Sequence, residues 1–230
     1  LLNLAGQTYE NFEILLLAHK VNDDEIAKIN EVVDFMPEYI KNRIRLIRVD
    51  TGNRSKPLNV GFEEALGEYI SVLDDDDIVF DNWVETFYKC FKRNSGKILR
   101  TYCVKQKWQV YKTIDGTYGM TATNSPDTYY PNRVDFIKQL NRNTCPTFTL
   151  AYPAYCFQNF KIIFDENLDT TEDWDFFMRT AFLTGIAEEE SITGIYRFLD
   201  NSENSRTIHS ENEWKINHSY VQRKFNQSPL

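Results

Sequence analysis

The sequence predicts an α/β fold, a mixed sheet flanked by helices with a second part built from antiparallel strands. Three observations carry this. Short apolar runs alternate with amphipathic stretches from residue 12 to residue 94, the rhythm of strand and helix. From residue 97 the chain turns rich in β-branched and aromatic residues around Asp115-Gly116, a hairpin turn signal. The 230 residues, 42% of them hydrophobic and 26% charged, suffice for one domain with a full core, and neither an internal repeat nor a low-complexity linker divides them.

Phe12 to Ala18 (FEILLLA) is a continuous apolar run, the pattern of a strand buried on both faces. DDEIAKINEVVDF places Ile26, Ile29, Val33 and Phe35 among charges and predicts an amphipathic helix. IRLIRV (44–49) reads as a strand, and SKPLNVGFEEALG as a helix with Pro57 in its first turn and Gly67 at its end. EYISVL is a further buried strand, closed by Asp74, Asp75, Asp76 and Asp77. DNWVETFYKCFKRN follows as a helix with Asp81 as its N-cap. This alternation predicts a parallel sheet with ligands at the carboxyl ends of its strands. Residues 97–122 predict antiparallel pairs, and NRVDFIKQL a short helix; Cys145 to Phe157 reads as mixed loop and strand. In TTEDWDFFMRTAFLTG, Trp174, Phe177, Met178, Ala181 and Phe182 form one apolar stripe and Gly185 ends the helix. SITGIYRF is the last strand, and the polar remainder begins as a loop.

A net charge of −8 repels a polyphosphate backbone, so nucleic acid is excluded as the main ligand, while a small phosphorylated ligand needs only a local cation or basic patch. Cys90, Cys103, Cys145 and Cys156 are widely spaced, which suggests reduced thiols and a cytoplasmic location rather than a zinc site or a disulfide framework. No stretch approaches the roughly 20 apolar residues of a membrane span, which leaves association with the inner membrane surface open. The opening LLNLAGQTYENF reads as a helix tail and a loop, so the chain is expected to have been cut from a longer one.

Four consecutive aspartates repel one another by about 1 kcal/mol per neighbouring pair even in water, and such a cluster favours a cation. In an extended segment Asp74 and Asp76 project to one side, Asp75 and Asp77 to the other. Oxygen-only ligands suit Mn²⁺ or Mg²⁺, held by one or two carboxylates plus substrate phosphates. The plainer alternative is a solvated acidic turn that leads into the next helix.

QTYENFEILL, NRSKPLNVGFEEALGEYISVLDDDD, TEDWDFFMRTAFLTG and IYRF occur in the order and approximate spacing of the family 2 glycosyltransferases, which the chain closely resembles over nearly its whole length. The resemblance rests jointly on an LDxDD-type strand end, an N-x-G-x-x-x-A-x-G-E-Y-I helix and strand, and a later E-D-W helix. It implies a GT-A fold and an inverting hexosyl transfer in polysaccharide biosynthesis. The donor would be a nucleotide-sugar, by expectation a UDP-sugar, and the acceptor a glycan or a lipid-linked hydroxyl. Residues 1–96 would form a nucleotide-sugar half lacking its first strand, 97–200 an acceptor half, and 201–230 a polar closing segment.

Carried over by motif, Asp74 and Asp76 form the DxD element at metal and ribose, with Asp75 as a further donor contact. Asp173 matches the general base, with Glu172 in reserve. Both lie where the helix macrodipole and a Thr170–Asp173 capping pattern would favour carboxylates in any case. Arg54 and Lys56 fall where the family often places a basic residue near the diphosphate. Arg197 belongs to a YR pair that ends the catalytic region, and Arg206 lies in a segment that can close over the donor. His209 is a candidate to complete the metal shell, and Trp174 to stack on a sugar, although its apolar stripe also suits a core. The sequence departs from the family where AHKVNDD replaces V-D-D-G-S, so the carboxylate that commonly reads the base is not identifiable, with Asp23 and Asp24 as candidates. Two other classes compete: a sugar nucleotidyltransferase, for which the usual glycine-rich phosphate loop is missing, and a non-enzymatic carbohydrate- or cation-binding module.

Overall fold

The computed structural model describes residues 1–199 and 209–226. In chain order these form α1 (Leu2–Ala5), β1 (Ile14–His19), α2 (Asp23–Asp34), α3 (Glu38–Lys41), β2 (Ile44–Val49), α4 (Ser55–Glu64), β3 (Tyr69–Ser71), β4 (Ile78–Val79) and α5 (Trp83–Arg93). There follow β5 (Ile98–Lys112), β6 (Tyr118–Ala122), α6 (Phe136–Gln139), β7 (Leu150–Pro153), α7 (Ala154–Gln158), α8 (Glu172–Thr184), β8 (Ile186–Leu199) and α9 (Glu211–Asn226).

β1 and β2 pair in parallel, with Ile14 opposite Ile44. Between them α2 opens on a capping box, in which Asn22 accepts the Glu25 amide and Glu25 accepts the Asn22 amide. α4 returns across β1 at close range: a Cβ at Gly61 would lie 2.8 Å from a Leu17 methyl. β3 departs from the parallel expectation. It pairs antiparallel with β7, in a second sheet of order β3-β7-β5-β8-β4, with β6 added to the far part of β5. β5 and β8 run parallel at the centre of that sheet, whereas β4 pairs antiparallel with β8. The β5–β6 hairpin follows its turn signal, with Gly116 at φ 87° and the Thr113 amide donating to Thr117 O at 2.8 Å.

Side-chain alternation along β5 and β7 divides the core in two. Ile98, Leu150 and Tyr152 join Phe62 of α4 and Trp174, Phe176, Phe177 and Met178 of α8 on one side. Leu99 and Ala151 join Trp83, Phe87 and Cys90 of α5 on the other. α9, unforeseen in the polar closing segment, adds Val221 to the first core and Phe225 against Phe182.

Three local expectations change. α5 is capped by Asn82, without a side-chain cap bond, and not by Asp81. α4 ends at Glu64, and the Gly67 amide donates instead to Glu13 Oε1. The helix predicted over NRVDFIKQL shortens to α6, whose cap Asp135 accepts the amides of Ile137 and Lys138.

Candidate functional site

The acidic run is a turn and not the end of an extended strand. β3 stops at Ser71, and the Asp77 amide donates to Asp74 O at 3.3 Å. Side chains two apart therefore do not simply share a face. Asp74, Asp76 and Asp77 form the group, each with an oxygen within 4.8 Å of the others, and Asp75 points to solvent. The extended-strand alternation is corrected accordingly, since it set Asp77 on the opposite side from Asp74 and Asp76.

Non-local contacts hold this turn closed. β4 begins directly after it and pairs with β8, where Gly194 permits the approach; a Cβ there would sit 3.3 Å from Val79 Cα and closer still to Ile78 O. Arg197 of β8 donates its amide to Asp77 Oδ1 at 3.1 Å and its Nε to Asp76 O, and its guanidinium stacks on Trp108. Burial, then the neighbouring charge of Asp76, pushes the Asp77 carboxyl up to about 8. Burial and the charges of Asp74 and Asp75 raise Asp76 as well. Three crowded carboxylates that resist joint ionisation, with oxygen as the sole donor type, fit a hard divalent cation.

Glu172 and Asp173 open α8 opposite this turn. The expected Thr170–Asp173 capping pattern is not formed: the N-cap is Thr171, at φ 67° and without a side-chain cap bond. A β-branched residue in the left-handed region is strained by roughly 1–3 kcal/mol, and here it directly precedes Glu172. Asp173 Oδ1 accepts the Trp174 amide at 2.7 Å and Oδ2 accepts Asn143 Nδ2 at 2.8 Å. Burial raises both carboxyls, and Arg54 opposes the rise.

Arg54 joins the two carboxylate groups. Its Nε lies 2.9 Å from Glu172 Oε1, and its terminal nitrogen lies 3.2 and 3.3 Å from the two oxygens of Asp74. Burial alone would lower the guanidinium, but Asp74, Glu172, Asp173 and Asp76 together hold it above its ordinary value. The backbone beside it is anchored from both sides. Asn53 Nδ2 donates to Glu166 O and Leu168 O, Ser55 Oγ to Asp165 O, and Asn59 holds both the amide and the carbonyl of Phe164.

The remaining sequence candidates fall elsewhere. Lys56 pairs with Glu166 at 3.5 Å. Asp23 pairs with Arg48 at 2.5 Å, and Asp24 lies in the exposed first turn of α2. Trp174 is 1% exposed, and its indole N–H donates to Gln139 O at 2.7 Å, so no face remains for a sugar and that assignment is corrected to the core. His209 lies near Glu213 at the head of α9 and is not a member of the acidic group. Arg206 lies outside the described residues. Sequence reasoning passed over Asn53, Asn59 and Asn143, whose amides carry no periodic signal, and left Asp77 and Trp108 without a role.

Comparison with known proteins gives a consistent result. Residues 1–163 match the family model described as glycosyl transferase family 2. An uncharacterized glycosyltransferase of Rickettsia felis is 29% identical over 215 residues, 90% of this chain and 33% of that protein. Glycosyltransferase GlyG of Streptococcus pneumoniae is 39% identical over 99 residues, 42% of this chain and 31% of that protein. The chain thus spans about a third of the length of these relatives. Among solved structures, S. aureus TarS 1-349 in complex with UDP-GlcNAc superposes with a TM-score of 0.67 at 16% identity, over 93% of this chain and 58% of that one.

Proposed function

The chain belongs to glycosyl transferase family 2 and has the GT-A fold, and from that membership we propose that it moves a hexosyl group from a UDP-sugar to a hydroxyl of a glycan or lipid-linked acceptor, with inversion. The observation that carries this reading is the approach of the Asp74–Asp77 turn to Glu172 and Asp173 through Arg54. In this reading the acidic turn is the leaving-group site and Asp173 the base, the pair of groups that a direct displacement requires. A neighbour with the same fold was solved with UDP-GlcNAc, which supports the donor class.

Asp76, Asp77 and Asp74 would hold Mn²⁺ or Mg²⁺, whose positive charge stabilises the departing nucleoside diphosphate. Arg54 adds a positive charge between Asp74 and Glu172. Asp173, oriented by Asn143 and by the Trp174 amide, takes the proton of the attacking hydroxyl. Its raised proton affinity suits a base more than an ordinary surface carboxylate would, and Glu172, tied to Arg54, is placed to support it. Arg197 serves by closing the acidic turn. In this reading residues 1–96 form the donor half, 97–200 the acceptor half and 201–230 a closing segment, with catalysis in the cytoplasm.

The test is release of UDP from a panel of UDP-sugars with Mn²⁺ and acceptor. Asp76→Asn and Asp173→Asn are each expected to reduce transfer by roughly 10²-fold or more while circular dichroism stays unchanged. Full activity in both variants removes the mechanism, and release of pyrophosphate from a nucleoside triphosphate would select a nucleotidyltransferase instead.

A further inference from the structure

We propose that Arg54 is a positioning residue that acts as an internal counter-ion, holding Asp74 and Glu172 together and yielding Asp74 when a divalent cation binds. The inference rests on the metal-dependent reading above and adds an exchange that couples the cation site to the α8 carboxylates.

The geometry is that of a shared fork. The Arg54 Nε faces Glu172 Oε1 at 2.9 Å, while its terminal nitrogen reaches both oxygens of Asp74 at 3.2 and 3.3 Å. A guanidinium can serve two carboxylates in this way because its donors lie in one rigid plane, which the point charge of a lysine cannot reproduce. Asp74 is also one of the three carboxylates that approach within 4.8 Å. A cation that gathers Asp76 and Asp77 must therefore compete with Arg54 for the third member. Arg54 is not free to leave when it loses: Glu172, 3% exposed, keeps hold of its other edge. Asn53 and Ser55 fix the backbone on either side of it to residues 165–168, just before α8. The guanidinium is therefore expected to swing toward Glu172, and cation binding would strengthen the contact that sets the charge beside Asp173.

This exchange predicts effects of opposite sign on cation affinity, measured with Mn²⁺ alone by electron paramagnetic resonance on the full chain without nucleotide. Arg54→Gln removes the competitor and should tighten Mn²⁺ binding about tenfold. Glu172→Gln releases the guanidinium to Asp74 and should weaken binding severalfold. The double variant should bind as tightly as Arg54→Gln, because Glu172 acts through Arg54; a simple loss of negative charge would instead make it weaker than Arg54→Gln by the Glu172→Gln factor, which would overturn the coupling. Arg54→Lys keeps the charge and should give intermediate tightening, and it replaces Arg54→Gln as the deciding variant if the latter does not fold.

Unchanged or weaker Mn²⁺ binding in the Arg54 variants, with wild type binding normally, overturns the counter-ion role and leaves the metal site standing. Failure of wild type and Arg54→Gln alike to bind Mn²⁺ overturns both.

Discussion

Asp77→Asn is expected to flatten the dependence of stability on pH. Asp77 is 7% exposed and accepts the Arg197 amide, and burial, reinforced by Asp76, lifts its carboxyl from 3.8 to about 8. Between those values the native state keeps a proton that the unfolded chain has lost. Stability from this group is therefore full below about pH 4, falls as pH rises, and levels off above about pH 8. The slope within the window is about 1.4 kcal/mol per pH unit, so the two units from about pH 5.5 to about 7.5 cost roughly 2.7 kcal/mol. Relaxation of the turn around the ionised group reduces this to roughly 2 kcal/mol, or roughly 4–8 °C in Tm for a chain of this size. Asparagine matches the protonated carboxyl in shape and retains an acceptor for Arg197, so the substitution removes the titration and keeps the hydrogen bond. Asp76 and the Glu172–Asp173 pair are raised in the same direction, so both proteins lose stability with rising pH, and the difference between them isolates Asp77. Thermal unfolding in EDTA at about pH 5.5, 6.5 and 7.5 measures it, and added Mn²⁺ should restore wild type more than the variant at the highest pH. Parallel curves of Tm against pH for the two proteins would refute the reasoning.

Trp174→Ala should cost about 3–5 kcal/mol in urea unfolding, as expected for a large side chain lost from a packed core, while Mn²⁺ affinity of the folded variant stays unchanged. A selective loss of sugar binding at full stability would return the indole to a sugar-stacking role. Asn59→Ala leaves the Phe164 amide and carbonyl without their partner and should destabilise by about 2–3 kcal/mol, with amide exchange rising first over residues 164–169. Thr171→Gly relieves a left-handed φ of 67° and should gain about 1 kcal/mol in stability while transfer falls, because the strained residue sets the entry of Glu172. A Thr171→Gly variant no more stable than Thr171→Ala, which keeps the Cβ, would show that the backbone at Thr171 is not strained.

The elements that were legible in the sequence are those whose signal is local. The FEILLLA run became β1, Asp115-Gly116 became the turn of the β5–β6 hairpin, and the apolar stripe of α8 buried Trp174, Phe177, Met178 and Ala181. Each reports a period or a turn preference that a few neighbouring residues decide among themselves. The partner of a strand is a different kind of fact. β3 reads as a buried strand whether it lies beside β1 or beside β7, and the residues that select β7 lie about 80 positions further along.

The same distinction explains why the acidic residues were legible as a group but misassigned within it. Alternation along an extended segment sorts Asp74 with Asp76 and excludes Asp77, and it would hold if β3 continued. What ends β3 is the pairing of β4 with β8, made close by Gly194, together with the grip of Arg197 on Asp76 O and Asp77 Oδ1. Those contacts bend the chain into a turn and draw a buried Asp77 into the group in place of the pairwise alternation. The bridge from Asp74 to Glu172 is likewise beyond any local pattern, since Arg54 carries no periodicity and its position depends on Asn53 and Ser55 reaching residues 165–168. Charge composition revealed a concentration of carboxylates; only the long-range packing decides that one arginine pairs with two of them at once.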